Sequence, residues 1–163
     1  MYYSTDYSSP LGEMLIASDG EAICGVWFYG QKHFKSTVDE TIANDDLPIF
    51  KRVTEWLDDY FSGMNPEIDF KIKPEGSEFR KGVWEILSDI PYGETLTYGE
   101  IASRISPQMS AQAVGGAVGH NPISIIIPCH RVVGVNGKLT GYAGGIDRKI
   151  ELLKLENNGG NFE

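Results

Sequence analysis

Two apolar runs near the N-terminus, Glu13–Ser18 (EMLIAS) and Ala22–Phe28 (AICGVWF), flank the pair Asp19-Gly20. Asp-Gly between two such runs is a hairpin signal, because both residues tolerate the positive φ of a tight turn. Residues 31–46 are polar and read as loop. From Leu47 to Phe61 the apolar positions Ile49, Phe50, Val53, Trp56, Leu57, Tyr60 and Phe61 recur at helical spacing, and Ser62-Gly63 ends the pattern. Ile68, Phe70 and Ile72 alternate with charged residues and predict a half-buried strand that stops at Pro74.

Gly76 marks the boundary between two expected domains, an α/β unit over 1–75 and a mostly helical unit over 76–163. Ser77 suits the cap of a helix carrying Phe79, Val83, Trp84, Ile86 and Leu87 on its core side. IPYGET is a loop. A short helix runs from Tyr98 to about Arg104. Ser106 and Pro107 suit the cap and first position of a second helix, over 107–119. Two helices joined by a tight turn have the spacing of a helix-turn-helix. From Ser110 to Gly119 that second helix is built of small residues and valine except for Gln112. Gly115 and Gly116 each cost about 1 kcal/mol against alanine in a helix interior. Close packing on a neighbouring helix explains them, and so does a backbone that approaches a ligand closely.

Ile123, Ile125, Ile126 and Ile127 predict a stiff buried strand, with Pro128 fixing the exit and Cys129 held at its end. A glycine-rich loop follows to Gly145. A last amphipathic helix turns Ile146, Ile150, Leu153 and Leu155 inward, and NNGGNFE forms a frayed tail.

Composition narrows the class. The chain has 163 residues, enough for one domain or two small ones, and no apolar run approaches the ~20 residues that span a bilayer. The first ten residues lack the basic and apolar regions of a signal peptide, so a cytoplasmic protein is expected. Net charge is −9, which argues against nucleic acid until its distribution is considered. Residues 1–75 hold 6 Lys/Arg and 14 Asp/Glu, whereas residues 98–149 hold 5 basic and 2 acidic residues. A polyanion can approach the second half. Of the two cysteines, Cys24 sits in a strand-like run and reads as a small buried hydrophobe. Neither belongs to a CxxC pair, so no zinc site or other metal is expected.

Cys129 and His130 invite a chemical reading. A thiolate is a nucleophile, and an adjacent imidazole is a base able to generate it. In an extended segment, however, neighbouring side chains point to opposite faces. The two communicate only through a backbone bend or a bridging water, and a structural buried cysteine is the competing reading.

The motifs IPYGET-TYGEIA, AVGGA, NP-S-IIPCHRVVG and GYAGG, in this order and spacing over about residues 79–156, resemble the O6-alkylguanine-DNA alkyltransferases, or methylated-DNA–protein-cysteine methyltransferases. The first 75 residues resemble that family's N-terminal domain only in general layout. The resemblance implies a small ribonuclease-H-like α/β domain followed by a winged helix-turn-helix-like domain. It also implies single-turnover transfer of an alkyl group from O6 of guanine, and possible transfer from O4 of thymine, to Cys129, with no cofactor.

On the same basis His130 resembles the base that takes the thiol proton through a water. Glu156 resembles the carboxylate orienting that histidine. Asn121 resembles the residue organising the preceding turn, and Tyr98 the phenol that protonates the departing guanine. The implied partner is double-stranded DNA, bound as a monomer through its minor groove by helix 107–119, with the target nucleotide flipped out. Gln112, Ala113 and Gly115 belong to the DNA face. Tyr142, Ala143 and Gly145 belong to the loop that walls the guanine pocket. Val132 is expected to offer backbone contacts to the base edge. Arg131 stands among the substrate-side residues, although a role in the fold suits it better.

Two departures stand out. Gln112 occupies the place of an arginine that fills the gap left by the flipped base, and Ala143 that of a serine found in some members. The competing functions are an alkyltransferase-like protein that binds damaged DNA without chemistry, a cysteine hydrolase using Cys129, His130 and Glu156, and a thiol redox protein. The presence of Cys129, the lack of a protease signature and the lack of a resolving cysteine weigh against them in turn.

Overall fold

The computed structural model describes residues 1–157, so the expected frayed tail beyond Asn157 lies outside the described residues. The chain divides into two units. One comprises Met1–Glu75 with Pro122–Ser124, and the other comprises Gly76–Asn121 with the chain from Ile125 onward.

The first unit is a four-stranded sheet with one long helix. Strands β2 (Gly12–Ser18) and β3 (Ile23–Phe28) form the expected antiparallel hairpin. Gly25 has room for no side chain, since a Cβ there would fall 1.9 Å from the Trp27 ring. Two strands were not anticipated. β1 (Tyr2–Ser9) pairs antiparallel with β2, and β4 (Thr41–Ala43), within the stretch read as loop, pairs parallel with β1. The order is β3-β2-β1-β4.

The expected strand at 68–72 reduces to one parallel bridge, Ile23 with Ile72, carried by amide-to-carbonyl bonds of 2.8 Å on either side. Pro74 has no amide with which to extend it. Helix α1 (Pro48–Phe61) begins with proline in its first turn and buries Ile49, Phe50, Val53, Trp56, Leu57 and Tyr60. Cys24 is buried beside Leu15, Ala17, Trp27 and Val38, as a small hydrophobe.

In the second unit, helix α2 (Glu78–Ser88) is capped by Ser77, which accepts the Arg80 amide, and buries Val83, Trp84 and Leu87. Phe79, expected inside, is exposed. Strand β5 (Leu96–Thr97) leads into helix α3 (Tyr98–Ile105), which starts with a reciprocal capping box between Thr97 and Glu100. Helix α4 (Ala111–Gly119) begins four residues later than the expected 107–119. Ser106 ends α3, and its carbonyl accepts the Met109 amide, so Pro107 occupies the second position of a β-turn. Ser110 is the cap, accepting the Ala113 amide at 3.0 Å. The Trp84 indole donates to the Ala117 carbonyl at 2.9 Å and ties α4 to α2.

The isoleucine run is buried but forms no strand. Pro122–Ser124 bonds to Val26 of the first unit's sheet, in the bridge Val26 with Ile123. Ile125 then takes φ +71, a left-handed conformation that a β-branched residue rarely adopts. Burial on all sides makes this run core filler, which hydrophobicity alone does not distinguish from a strand. Strand β6 (Val132–Val133) pairs parallel with β5. Helix α5 (Ile146–Glu156) closes the described chain. No helix among the described residues is long and apolar enough to cross a membrane.

Candidate active site

Cys129 is placed by two successive tight turns. Its amide bonds the Ile127 carbonyl at 2.8 Å across Pro128, whose φ −81 and ψ 66 are those of an inverse γ-turn. Cys129–Arg131 then forms a single 3-10 turn. This supplies the bend that an extended segment lacks. The Asn121 side-chain amide donates to the same Ile127 carbonyl at 2.8 Å, closing the loop from its other end.

The sulfur is buried, yet its surroundings are polar. Burial pushes the Cys129 thiol up from its ordinary value, and a hydrogen bond from Asn121, the charge of Lys149 and the phenol of Tyr142 pull it back. The Tyr142 hydroxyl is buried and has no hydrogen-bond partner among the described residues. Tyr142 is itself held well above the usual phenol range by burial and by the neighbouring thiol. The resting thiol is therefore protonated, and activation requires a base.

His130 is wholly buried, and its Nε2 lies 2.6 Å from Oε2 of Glu156. Burial lowers the histidine's pKa, against the raising effect of Glu156. The ring is thus neutral near pH 7. It donates Nε2–H to the carboxylate, which assigns Nδ1 as the basic nitrogen.

Glu156 also takes a forked contact from Arg131, with Nε on Oε1 at 2.8 Å and Nη2 on Oε2 at 3.1 Å. The third guanidinium nitrogen, Nη1, donates to the Ile90 carbonyl at 2.6 Å, and the guanidinium lies 5.7 Å from the centre of the Tyr92 ring. This corrects the placing of Arg131 among the substrate-side residues: its donors are spent inside the fold, on the carboxylate that holds the histidine.

The IPYGET segment was legible only as a loop. Ile90 supplies a carbonyl to Arg131, Tyr92 a ring face, and Gly93 an amide to Glu156 Oε1 at 3.1 Å. Gly93 adopts φ +80, so glycine is the residue that fits that donor position.

Other expected residues fall as follows. Tyr98 starts α3, and its phenol oxygen accepts from the Thr140 hydroxyl at a long 3.4 Å. Ala143 is half-buried and Gly145 exposed, on the loop beside Tyr142. Val132 is fully buried, and its amide is donated to the Cys129 carbonyl, so it is not a donor for a base edge. Gln112, Ala113 and Gly116 form an exposed face of α4. A Cβ at Gly116 would meet nothing within 4 Å, and one at Gly115 would make ordinary contact with the Tyr98 ring at 3.9 Å. Close packing inside the protein therefore does not explain these glycines.

Helix α5 buries Lys149, Leu152, Leu153 and Glu156, not the expected Ile146, Ile150 and Leu155. Lys149 is the functional candidate the sequence reading missed. Its signal was the spacing i, i+3, i+4, i+7 with a charge at each end. Among the described residues no cluster of His, Cys, Asp and Glu is arranged to hold a metal ion.

Known proteins resemble the chain throughout. Residues 1–74 match the model for "6-O-methylguanine DNA methyltransferase, ribonuclease-like domain" and residues 78–158 that for the "DNA binding domain" of the same enzymes. A methylated-DNA–protein-cysteine methyltransferase of Methanosarcina acetivorans is 48% identical over 158 residues, covering 97% of this chain and 99% of its own. The crystal structure of the O6-methylguanine methyltransferase of Mycobacterium tuberculosis superposes with TM-score 0.87 at 40% identity, covering 100% of this chain and 97% of that one. The Mycobacterium tuberculosis OGT in complex with DNA gives TM-score 0.84 at 42% identity, covering 97% and 93%. Two adjoining domain matches that take in almost the whole sequence place this chain in the 6-O-methylguanine DNA methyltransferase family.

Proposed function

We propose that the protein repairs DNA by accepting the alkyl group of O6-alkylguanine on Cys129, once per molecule. The observation that carries this reading is a buried thiol set on a turn that the Asn121 side chain holds, next in sequence to a neutral His130 bonded to Glu156. A hydrocarbon-sealed structural cysteine has no use for such a setting.

The steps follow from the groups present. The Cys129 proton passes by way of a water to Nδ1 of His130, and Glu156 stabilises the resulting imidazolium. Sulfur then attacks the alkyl carbon. The S–C bond forms as the C–O6 bond breaks, and the electron pair remains on guanine. Guanine takes up one proton, supplied by the Tyr98 phenol, and leaves neutral. A soft thiolate suits displacement at saturated carbon, and no cofactor enters because the protein itself is the acceptor. Asn121 acts by holding the turn that carries the sulfur.

The DNA-facing work belongs to residues 76–163 and the exposed face of α4. That face is slim enough for a minor groove about 6 Å wide. In a stacked base the reacting atom lies at the major-groove edge, out of reach of a buried thiol, so the target nucleotide is flipped into a pocket walled by Tyr142, Ala143 and Gly145. Gln112 fills the vacated stack and bonds the orphaned base without adding charge. The protein acts as a monomer, in the cytoplasm.

The test is intact mass after incubation with a duplex containing O6-methylguanine. One methyl per protein, on the Cys129 peptide and absent from Cys129→Ala, is expected. Binding without mass gain points to the non-catalytic alkyltransferase-like role, and multiple turnover of an ester points to a hydrolase. Either result overturns the proposal.

A further inference from the structure

Gly144 is buried on the loop just ahead of α5, and its carbonyl is held by a side chain. Nη1 of Arg148 donates to it at 3.1 Å. The amide of the same peptide unit, carried by Gly145, donates to the Tyr142 carbonyl at 2.9 Å. Both polar groups of the Gly144–Gly145 peptide plane are therefore pinned, one by the backbone of Tyr142 and the other by a guanidinium.

The stretch around that plane needs pinning. Gly141, Gly144 and Gly145 stand within five residues, and glycine loses more backbone freedom on ordering than any other residue. Gly145 takes φ +98. Other ties of the same stretch are longer: Thr140 reaches the Tyr98 phenol at 3.4 Å, and the Lys149 amine reaches the Thr140 and Gly141 carbonyls at 3.4 and 3.5 Å. Arg148 is, moreover, poorly placed for helix stability. It stands in the first turn of α5, where the helix dipole favours Asp147 and disfavours a cation. Its half-buried side chain folds back four residues, over the loop.

We infer that Arg148 is a positioning residue for the alkylated base: by holding the Gly144 carbonyl it fixes the turn Tyr142–Gly145 that walls the pocket. The inference rests on that pocket and on Cys129 as the alkyl acceptor. Direct displacement requires the sulfur, the alkyl carbon and the departing oxygen to lie in line, so a wall that drifts costs rate. The duplex itself is held by α4, so the same drift leaves DNA affinity alone. Arg148 touches no reacting atom and acts through the backbone that it grips.

The experiment measures single-turnover methyl transfer from a duplex containing O6-methylguanine, over a range of protein concentrations in excess of DNA. Arg148→Met keeps the stem and loses the donor. Its maximal rate constant should fall about tenfold or more, the scale of one hydrogen bond from a charged donor. The half-saturating concentration should not change, nor should the duplex affinity by fluorescence anisotropy or its dependence on salt. Arg148→Lys should restore part of the rate. In hydrogen exchange the Gly145 amide should open faster in Arg148→Met, with the amides of α3 unchanged.

An unmoved rate constant or an unmoved Gly145 amide overturns the inference. So does weaker duplex binding with a log K against log salt slope shallower by about one, which marks a phosphate contact instead. Should Arg148→Met fail to fold, the same constants are read in Arg148→Lys, where an intermediate fall in rate at unchanged affinity is expected and an unchanged rate overturns the inference. An unsubstituted protein that takes no methyl from the duplex defeats the acceptor reading itself. Methyl transfer with an unmoved Arg148→Met rate defeats only the role of the arginine.

Discussion

The imidazole of His130 and the carboxylate of Glu156 meet at 2.6 Å, with both side chains shut off from solvent. Glu156→Gln keeps the shape but removes the charge, leaving Arg131 buried without its partner. Breaking such a pair costs about 3–5 kcal/mol. Urea unfolding should show a loss of that order, and the methyl-transfer rate should fall beyond what incomplete folding explains.

His130 also sets a pH dependence. Its folded pKa lies below the ordinary 6.5, chiefly through burial. Between those two values the unfolded chain binds a proton that the native one refuses, so stability rises with pH there and is lost as pH falls below about 6.5. Below the folded value this contribution stops changing. Urea midpoints between pH 5 and 7.5 should slope upward in the unsubstituted protein and flatten in His130→Asn.

Asn121 grips the Ile127 carbonyl that also receives the Cys129 amide. Asn121→Ala leaves buried groups poorly paired, at a cost of about 1–3 kcal/mol. The thiol also loses a hydrogen bond that favours its anion, so its alkylation by iodoacetamide at neutral pH should slow in the fraction that remains folded.

The glycines separate packing from DNA approach. Gly116→Ala meets nothing and improves helix propensity by about 1 kcal/mol, so Tm should rise. The new methyl stands on the exposed face of α4, and affinity for duplex DNA should drop. Gly25→Ala runs into the Trp27 ring and should fail to give a stable protein.

Gln112→Arg adds a charge to the same face. DNA binding should tighten, and the slope of log K against log salt should steepen by about one for each phosphate newly contacted. Fluorescence anisotropy across a salt series measures both.

What the sequence made legible follows the physics of each segment. α1 declared itself because its stripe is uniformly apolar. α5 misled because its buried stripe ends in Lys149 and Glu156, and apolarity cannot reveal a charge whose burial depends on partners far along the chain. Cys129, His130 and Glu156 stand out through resemblance, whereas the bend that presents the thiol does not. That bend depends on Ile125 accepting a left-handed backbone and on Asn121 capturing a carbonyl six residues on. β1, with its many polar side chains, and the three-residue β4 carried too little hydrophobic alternation to register. Ser106 and Ser110 both suit a helix cap, and only the β-turn through Pro107 decides between them.

The bond from the Trp84 indole ends on the backbone of Ala117, not on a side chain. No substitution at position 117 that keeps the helix deletes that acceptor, and none on the outward face touches it. Lineages of this protein can therefore exchange what α4 offers to a ligand, glutamine for arginine included, while the helix keeps its register. Affinity for a ligand is free to drift without endangering the scaffold that carries it.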